Sequence, residues 1–202
     1  TTSTATALAA FYAKIPVGHV EAGLRTATID EPYPEELNRR LTGVIASYHF
    51  APTAVAKANL LAERLDGADV IVTGNTVIDA FLDTIRRLAQ RPAPAALAGL
   101  DPARPLIFVT AHRRENHDAM PGIARAVKAI AAFPQRPQIL WPLHPSPRVG
   151  PVIAPILSGV EGIRLTEPLD YAATVAAVAQ SRFVLTDSGG LQEEAPTLGK
   201  PV

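Results

Sequence analysis

Short apolar runs alternate along the chain with longer stretches in which apolar residues recur every three or four positions. Leu106 to Val109, Ile139 to Leu143, Ile163 to Leu165 and Phe183 to Leu185 are runs of the first kind. They read as strands buried on both faces of a parallel sheet. Between them, Ile123, Val127 and Ile130 keep helical spacing, and the alanine-rich stretch Ala172 to Gln180 reads as a helix. The first part repeats the alternation. Thr1 to Lys14 forms a helix with one apolar stripe, Leu8, Phe11 and Tyr12, and Pro16 to Val20 is a short strand with Glu21 to Thr26 as its exit loop. Pro34 is placed as the first residue of the next helix, with Glu35 and Glu36 in its first turn. Tyr48 to Pro52 is a strand, Thr53 caps a helix running to about Leu65, Val70 to Val72 is a strand, and a helix follows from Val77 to about Gln90. Strands joined through helices imply right-handed crossovers, hence an α/β fold of doubly wound parallel sheets. The composition shifts near residues 73 to 76, which predicts two Rossmann-like domains, 1–75 and 76–202.

Charge and composition narrow the partners. The 202 residues are 48% hydrophobic, ample for a core, and 19 basic residues balance 19 acidic ones. No global field favours nucleic acid or an anionic membrane, so an anion must be recognised locally. There is no cysteine, which excludes disulfides, thiolate catalysis and cysteine zinc sites. No apolar run approaches the ~20 residues that cross a bilayer, and the start lacks the layout of a secretion signal. A cytoplasmic setting is the expectation. A threonine start inside a helical pattern and a strand-like Val202 point to a fragment of a longer chain.

The candidate chemistry centres on Thr186-Asp187-Ser188-Gly189-Gly190, a strand, a glycine turn and a helix start. Uncovered backbone N–H groups there suit an anion. A plainer reading has Ser188 capping the helix and the glycines only making the turn. In a doubly wound sheet the loops leaving the carboxyl ends of the strands share one edge, where ligands bind. Glu21 and Arg25, Asn75, His112 to Asn116, His144, Ser188 to Gly190 and Glu194 all fall in or just after such loops. Each has an ordinary reading too: Glu35 with Arg39 as a surface pair four apart, His144 as a turn residue, Arg113 to Glu115 as a solvated cluster. Together they suggest recognition of a negatively charged, hydroxyl-rich ligand, with Glu21 and Glu35 available as base and acid. No set of residues has metal-ligand spacing, and no cofactor is implied.

Six motifs carry a resemblance. His19-Val20-Glu21-Ala22-Gly23-Leu24-Arg25-Thr26, Pro34-Glu35-Glu36 with Asn38-Arg39, Thr73-Gly74-Asn75-Thr76, His112-Arg113-Arg114-Glu115-Asn116, Leu169-Asp170-Tyr171, and Thr186 to Gly190 through Glu193-Glu194-Ala195-Pro196 occur in this order. The chain thereby resembles bacterial UDP-N-acetylglucosamine 2-epimerases over nearly all its length. The resemblance implies a glycosyltransferase-B-like (GT-B) fold of two Rossmann-like domains, the first incomplete here, with the nucleotide in the cleft between them. It implies interconversion of UDP-N-acetylglucosamine (UDP-GlcNAc) and UDP-N-acetylmannosamine (UDP-ManNAc) by anti elimination of UDP and its re-addition to 2-acetamidoglucal. Glu21 and Glu35 would be catalytic carboxylates, with His112 assisting at the leaving phosphate. Arg39 and Ser188-Gly189-Gly190 would hold the diphosphate and Glu194 the ribose, while Arg113 and His144 would line the cleft, where some members bind a second UDP-GlcNAc as activator. The implied partners are these nucleotide sugars and UDP, and a second copy of the full-length chain in a homodimer. Three features depart from the family pattern. The catalytic Asp of a Gly-Asp-Thr motif would precede Thr1, Asp118 stands where glycine is usual, and Thr174 stands where an aromatic residue often packs. Rival readings are a hydrolysing epimerase releasing N-acetylmannosamine and UDP, a glycosyltransferase of the same architecture, and a nucleotide-sugar binding module without turnover.

Overall fold

The computed structural model describes residues 1–63 and 69–202. Its internal contacts divide it into two compact units, Thr1–Thr76 and Val77–Val202. In the first, α1 (Thr2–Tyr12), β1 (Gly18–Val20), α2 (Glu35–Ile45), β2 (Tyr48–Ala51), α3 (Ala54–Ala62) and β3 (Val70–Val72) alternate along the chain. The strands pair in parallel in the order β1-β2-β3. Thr53 caps α3 by accepting from the Ala56 N–H at 3.0 Å. The far end expected for that helix, at Leu65, lies outside the described residues. Pro34 is the capping residue of α2 rather than its first helical residue. The core here is small: Ala22, Ala51, Ala56, Leu60 and Val70. Small side chains at its centre let α3 close directly onto the loop leaving β1.

The second unit follows α4 (Thr76–Leu88) with β4 (Leu106–Thr110), α5 (Met120–Ala131), β5 (Gln138–Pro142), α6 (Gly150–Leu157), β6 (Ile163–Thr166), α7 (Tyr171–Gln180), β7 (Phe183–Thr186) and α8 (Gly189–Glu194). Its sheet is parallel throughout, in the order β6-β5-β4-β7. Successive residues of a strand face opposite sides, and the core divides accordingly. Phe108, Leu140 and Val184 pack with Phe81 of α4 and Val175 and Val178 of α7. Ile107, Val109, Ile139 and Trp141 pack with α5 and α6 through Met120, Val127, Ile153 and Leu157. Helices thus cover both faces, and each fully buried large side chain contributes about 1.5–3 kcal/mol.

One element has no counterpart in the sequence pattern. Helix α6 reads Gly-Pro-Val-Ile-Ala-Pro-Ile-Leu, with Pro151 in its first turn and Pro155 inside it. Proline removes a donor from the helical ladder, which argues against a helix. Val149, Ile153 and Leu157, four apart and fully buried, fix the segment against the sheet and override that preference.

Candidate functional site

Strands β4 and β7 lie side by side and bring the loops after Thr110 and Thr186 together. The two threonine hydroxyls are 2.7 Å apart, and Thr186 Oγ1 also accepts from the Ser188 N–H at 2.9 Å. Between them stands Asp187. Its carboxylate accepts from the backbone N–H groups of His112 and Arg113, each at 2.9 Å, and from Asn116 Nδ2 at 2.9 Å. Burial alone would raise the pKa of Asp187. The bonds from Asn116, Arg113 and His112 and the charge of His112 outweigh it and hold the pKa below the usual carboxylate value.

The turn at Asp187 therefore fixes the backbone of His112 and Arg113. The His112 ring places Nδ1 3.2 Å from Asp187 Oδ1 and stacks on His144, with centroids 5.5 Å apart and planes 13° from parallel. His144 Nδ1 accepts from the Ser146 N–H at 3.1 Å. A cavity of about 200 Å³ beside these rings is lined by Thr110, His112, His144, Leu169, Thr174 and Ser188. The Arg113 guanidinium lies over Gly189, where a β-carbon would stand 3.4 Å from Nη2. Ser188 makes no side-chain capping bond to α8. Glu194 ends α8 and is buried, at 7% exposure. Burial, then the neighbouring Glu193, raises its pKa. Arg114 and Glu115 are exposed on a 3-10 turn.

In the first unit, Glu21 follows β1 with φ at 63°, in the left-handed region that non-glycine residues rarely occupy. Glu35 opens α2. A cavity of about 660 Å³ is lined by His19, Glu21, Glu35, Asn38, Arg39 and Thr42 among others. Glu21, Glu35 and Arg39 thus share one surface of this unit. The expected pair of Glu35 with Arg39 gives way to another. Glu36, fully buried, accepts from Arg40 Nε at 2.9 Å and lies 3.6 Å from Arg39 Nη1. Arg25 is an anchor: its Nε and Nη2 donate to Glu63 at 2.6 and 2.8 Å and its Nη1 to the Leu24 carbonyl.

Two residues in these arrangements escape sequence reasoning. Asp187 falls within the glycine-turn motif with no role of its own there, and Glu36 reads from sequence only as one of two glutamates in the first turn of a helix. Cations three and four residues after Glu36 were the available signal. Among the described residues no group of three or more His, Cys, Asp or Glu could hold a metal ion, and no helix is long and apolar enough to cross a membrane.

In the second unit a parallel sheet covered on both faces, with polar loops gathered at its carboxyl end, defines a doubly wound α/β fold of the kind that binds nucleotides. A family model for UDP-N-acetylglucosamine 2-epimerase matches residues 1–202, and the chain belongs to that family. Its fold is of the GT-B type. The UDP-N-acetylglucosamine 2-epimerase of Salmonella typhimurium is 49% identical over 208 residues, covering 100% of this chain and 55% of that protein. The crystal structure of UDP-GlcNAc 2-epimerase from Neisseria meningitidis bound to UDP-GlcNAc matches with a TM-score of 0.93 at 45% identity, over 98% of this chain and 55% of that one. The Methanocaldococcus jannaschii UDP-GlcNAc 2-epimerase, in complex with UDP-GlcNAc and UDP, matches with a TM-score of 0.81 at 35% identity, over 99% and 56%. The chain spans about half the length of the curated relatives it matches.

Proposed function

We propose that the full-length protein is a UDP-GlcNAc 2-epimerase, interconverting UDP-GlcNAc and UDP-ManNAc. The observation that carries this reading is the clamp in the second unit: one carboxylate, Asp187, holds the backbone of His112 and Arg113. It sets a histidine beside the glycine turn, over which the Arg113 guanidinium lies. Directed donors and a delocalised cation suit diphosphate oxygens. The ligands in the Neisseria and Methanocaldococcus structures, UDP-GlcNAc with and without UDP, support the same substrate class.

The C2 hydrogen of the sugar is weakly acidic, so its removal is coupled to departure of the nucleotide. A carboxylate of the Glu21 and Glu35 pair takes the proton, the C–H electron pair becomes the C1–C2 double bond, and the C1–O pair leaves with UDP. His112 assists at the phosphate that receives the charge. The product, 2-acetamidoglucal, is protonated at C2 on the opposite face while UDP adds back at C1. Arg39 and Ser188-Gly189-Gly190 hold the diphosphate, Glu194 accepts from the ribose hydroxyls, and Arg113 and His144 line the nucleotide side. Thr174 lines the small cavity with His112, so the departure from an aromatic residue leaves room there.

The test is incubation of the full-length protein with UDP-GlcNAc in heavy water, followed by NMR. Deuterium at C2 together with UDP-ManNAc is expected. Free N-acetylmannosamine as the sole product would move the assignment to a hydrolysing epimerase, and absence of exchange would leave a binding protein.

A further inference from the structure

Asp187 has no part in the reaction as set out above, yet four groups converge on its carboxylate. We propose that Asp187 is a positioning residue for His112: it holds the imidazole in the tautomer protonated on Nδ1 and leaves Nε2 as the atom that meets the substrate. This inference rests on the reading that His112 acts at the leaving phosphate.

Two of the groups, the backbone N–H of His112 and of Arg113, can only donate, and the third, the Asn116 amide nitrogen, donates as well. They fix Asp187 as an ionised acceptor. The fourth, His112 Nδ1, lies 3.2 Å from Oδ1, at ion-pair distance, where a proton on Nδ1 is favoured over a lone pair facing the carboxylate. A neutral imidazole carries a single N–H. With the proton held on Nδ1, Nε2 is a bare acceptor, or a second donor once the ring is charged. A carboxylate on the inner nitrogen is the general means of setting which ring nitrogen works on the substrate. Two further contacts hold the ring and its backbone in place. The His144 ring covers one face of His112, and His117 Nε2 lies 3.3 Å from the His112 carbonyl. His144 takes its own Nδ1 contact from the Ser146 N–H, so it presents no competing partner to Asp187 through that atom. The loop after β4 is thereby built around one tautomer rather than merely tied down.

The change Asp187→Asn separates the two roles. An asparagine oxygen can still accept from the backbone N–H groups, but its amide turns a donor toward His112 Nδ1 and favours the opposite tautomer. In the full-length protein, long-range ¹H–¹⁵N NMR, with the His112 signals identified by their loss in His112→Asn, should show Nδ1 protonated in the wild type and Nε2 protonated in Asp187→Asn. Turnover in Asp187→Asn should fall by ~10²-fold or more with KM within ~3-fold. A wild-type His112 protonated on Nε2 overturns the proposal even if the variant does not fold. So does a variant that keeps the wild-type tautomer, whatever its activity, because Asp187 is then only a loop clamp. Normal turnover in Asp187→Asn while His112→Asn is inactive overturns it too, whereas normal turnover in His112→Asn shows that the underlying reading of His112 has failed.

Discussion

A β-carbon placed on Gly23 would lie 2.1 Å from the carbonyl oxygen of Ala56, and the backbone there has φ at +86°. Both facts come from the same packing: α3 closes on the loop leaving β1, where Asn59 Nδ2 donates to the Gly23 carbonyl and Arg25 grips Glu63. Gly23→Ala strains the backbone and must also push α3 away, because the obstacle is main chain and cannot swing aside. It should destabilise the protein by more than about 1 kcal/mol, read as a lower urea midpoint. An unchanged midpoint would mean that the loop opens without cost. At this scale the sequence is legible where a residue type has one use. Thr53 before an apolar stretch reads as a cap and is one. It is illegible where the environment decides. Glu35 and Glu36 are neighbours of one type in one helical turn, yet Glu35 is exposed and Glu36 is fully buried between two arginines. The difference lies in which side of α2 faces the core, and the first turn of a helix says little about that.

Elements were legible in proportion to how far their own pattern decides them. The central strands of the second unit, β4 and β5, are buried on both faces and appear as apolar runs. Helix α6, rich in proline, exists only because the sheet holds it, so local pattern argued against it. The strands of the first unit carry a different consequence. His19 of β1 and His49 of β2 stand opposite each other in the ladder, with ring centroids 6.4 Å apart and each Nδ1 buried without a hydrogen-bond partner. Burial first, then the charge of His49, Arg25 and Arg39, lowers the pKa of His19 from 6.5 to about 4. The unfolded chain binds a proton near pH 6.5 that the folded chain refuses until about pH 4. Stability from this group is full above that window and is lost as the pH falls through it. His49 is lowered too, by burial first, with Asp69 opposing, and acts in the same direction. Urea titrations at pH 7.5 and 5 should therefore show a lower midpoint at the acidic pH, and His19→Asn should narrow the difference between the two. An equal difference in wild type and variant would show that the pair does not control the acid limb.

Across the whole molecule the two units share an architecture and differ in their chemistry. The formal charge is zero, so under the proposed function affinity for an anionic nucleotide comes from local groups, such as Arg113 over Gly189. The first unit instead gathers carboxylates. Glu21 sits in an unfavourable backbone conformation at a strand end, a feature that costs of order 1–3 kcal/mol and often accompanies function. Glu35 lines the same cavity. The sequence made the order of motifs legible because strand exits are where an α/β fold puts its chemistry, but their spacing could not reveal which carboxylates support others and which remain for proton transfer. The structure gives Glu36 two arginine partners, and the shared lining of one cavity makes Glu21 and Glu35 the pair to test at C2. In the full-length protein, Glu21→Gln and Glu35→Gln should each slow epimerisation by about 10²-fold or more, the worth of a positioned acid or base. Neither residue is assigned to the diphosphate or the ribose, so the dissociation constant for UDP-GlcNAc, measured by calorimetry, should change little. If the two were only solvated helix-start and loop residues, their replacement would cost a fraction of a kcal/mol in stability and leave turnover intact. Deuterium exchange at C2 distinguishes the cases: a variant that binds UDP-GlcNAc normally and exchanges at the wild-type rate would remove that glutamate from proton transfer, whereas loss of exchange with retained binding would assign it there.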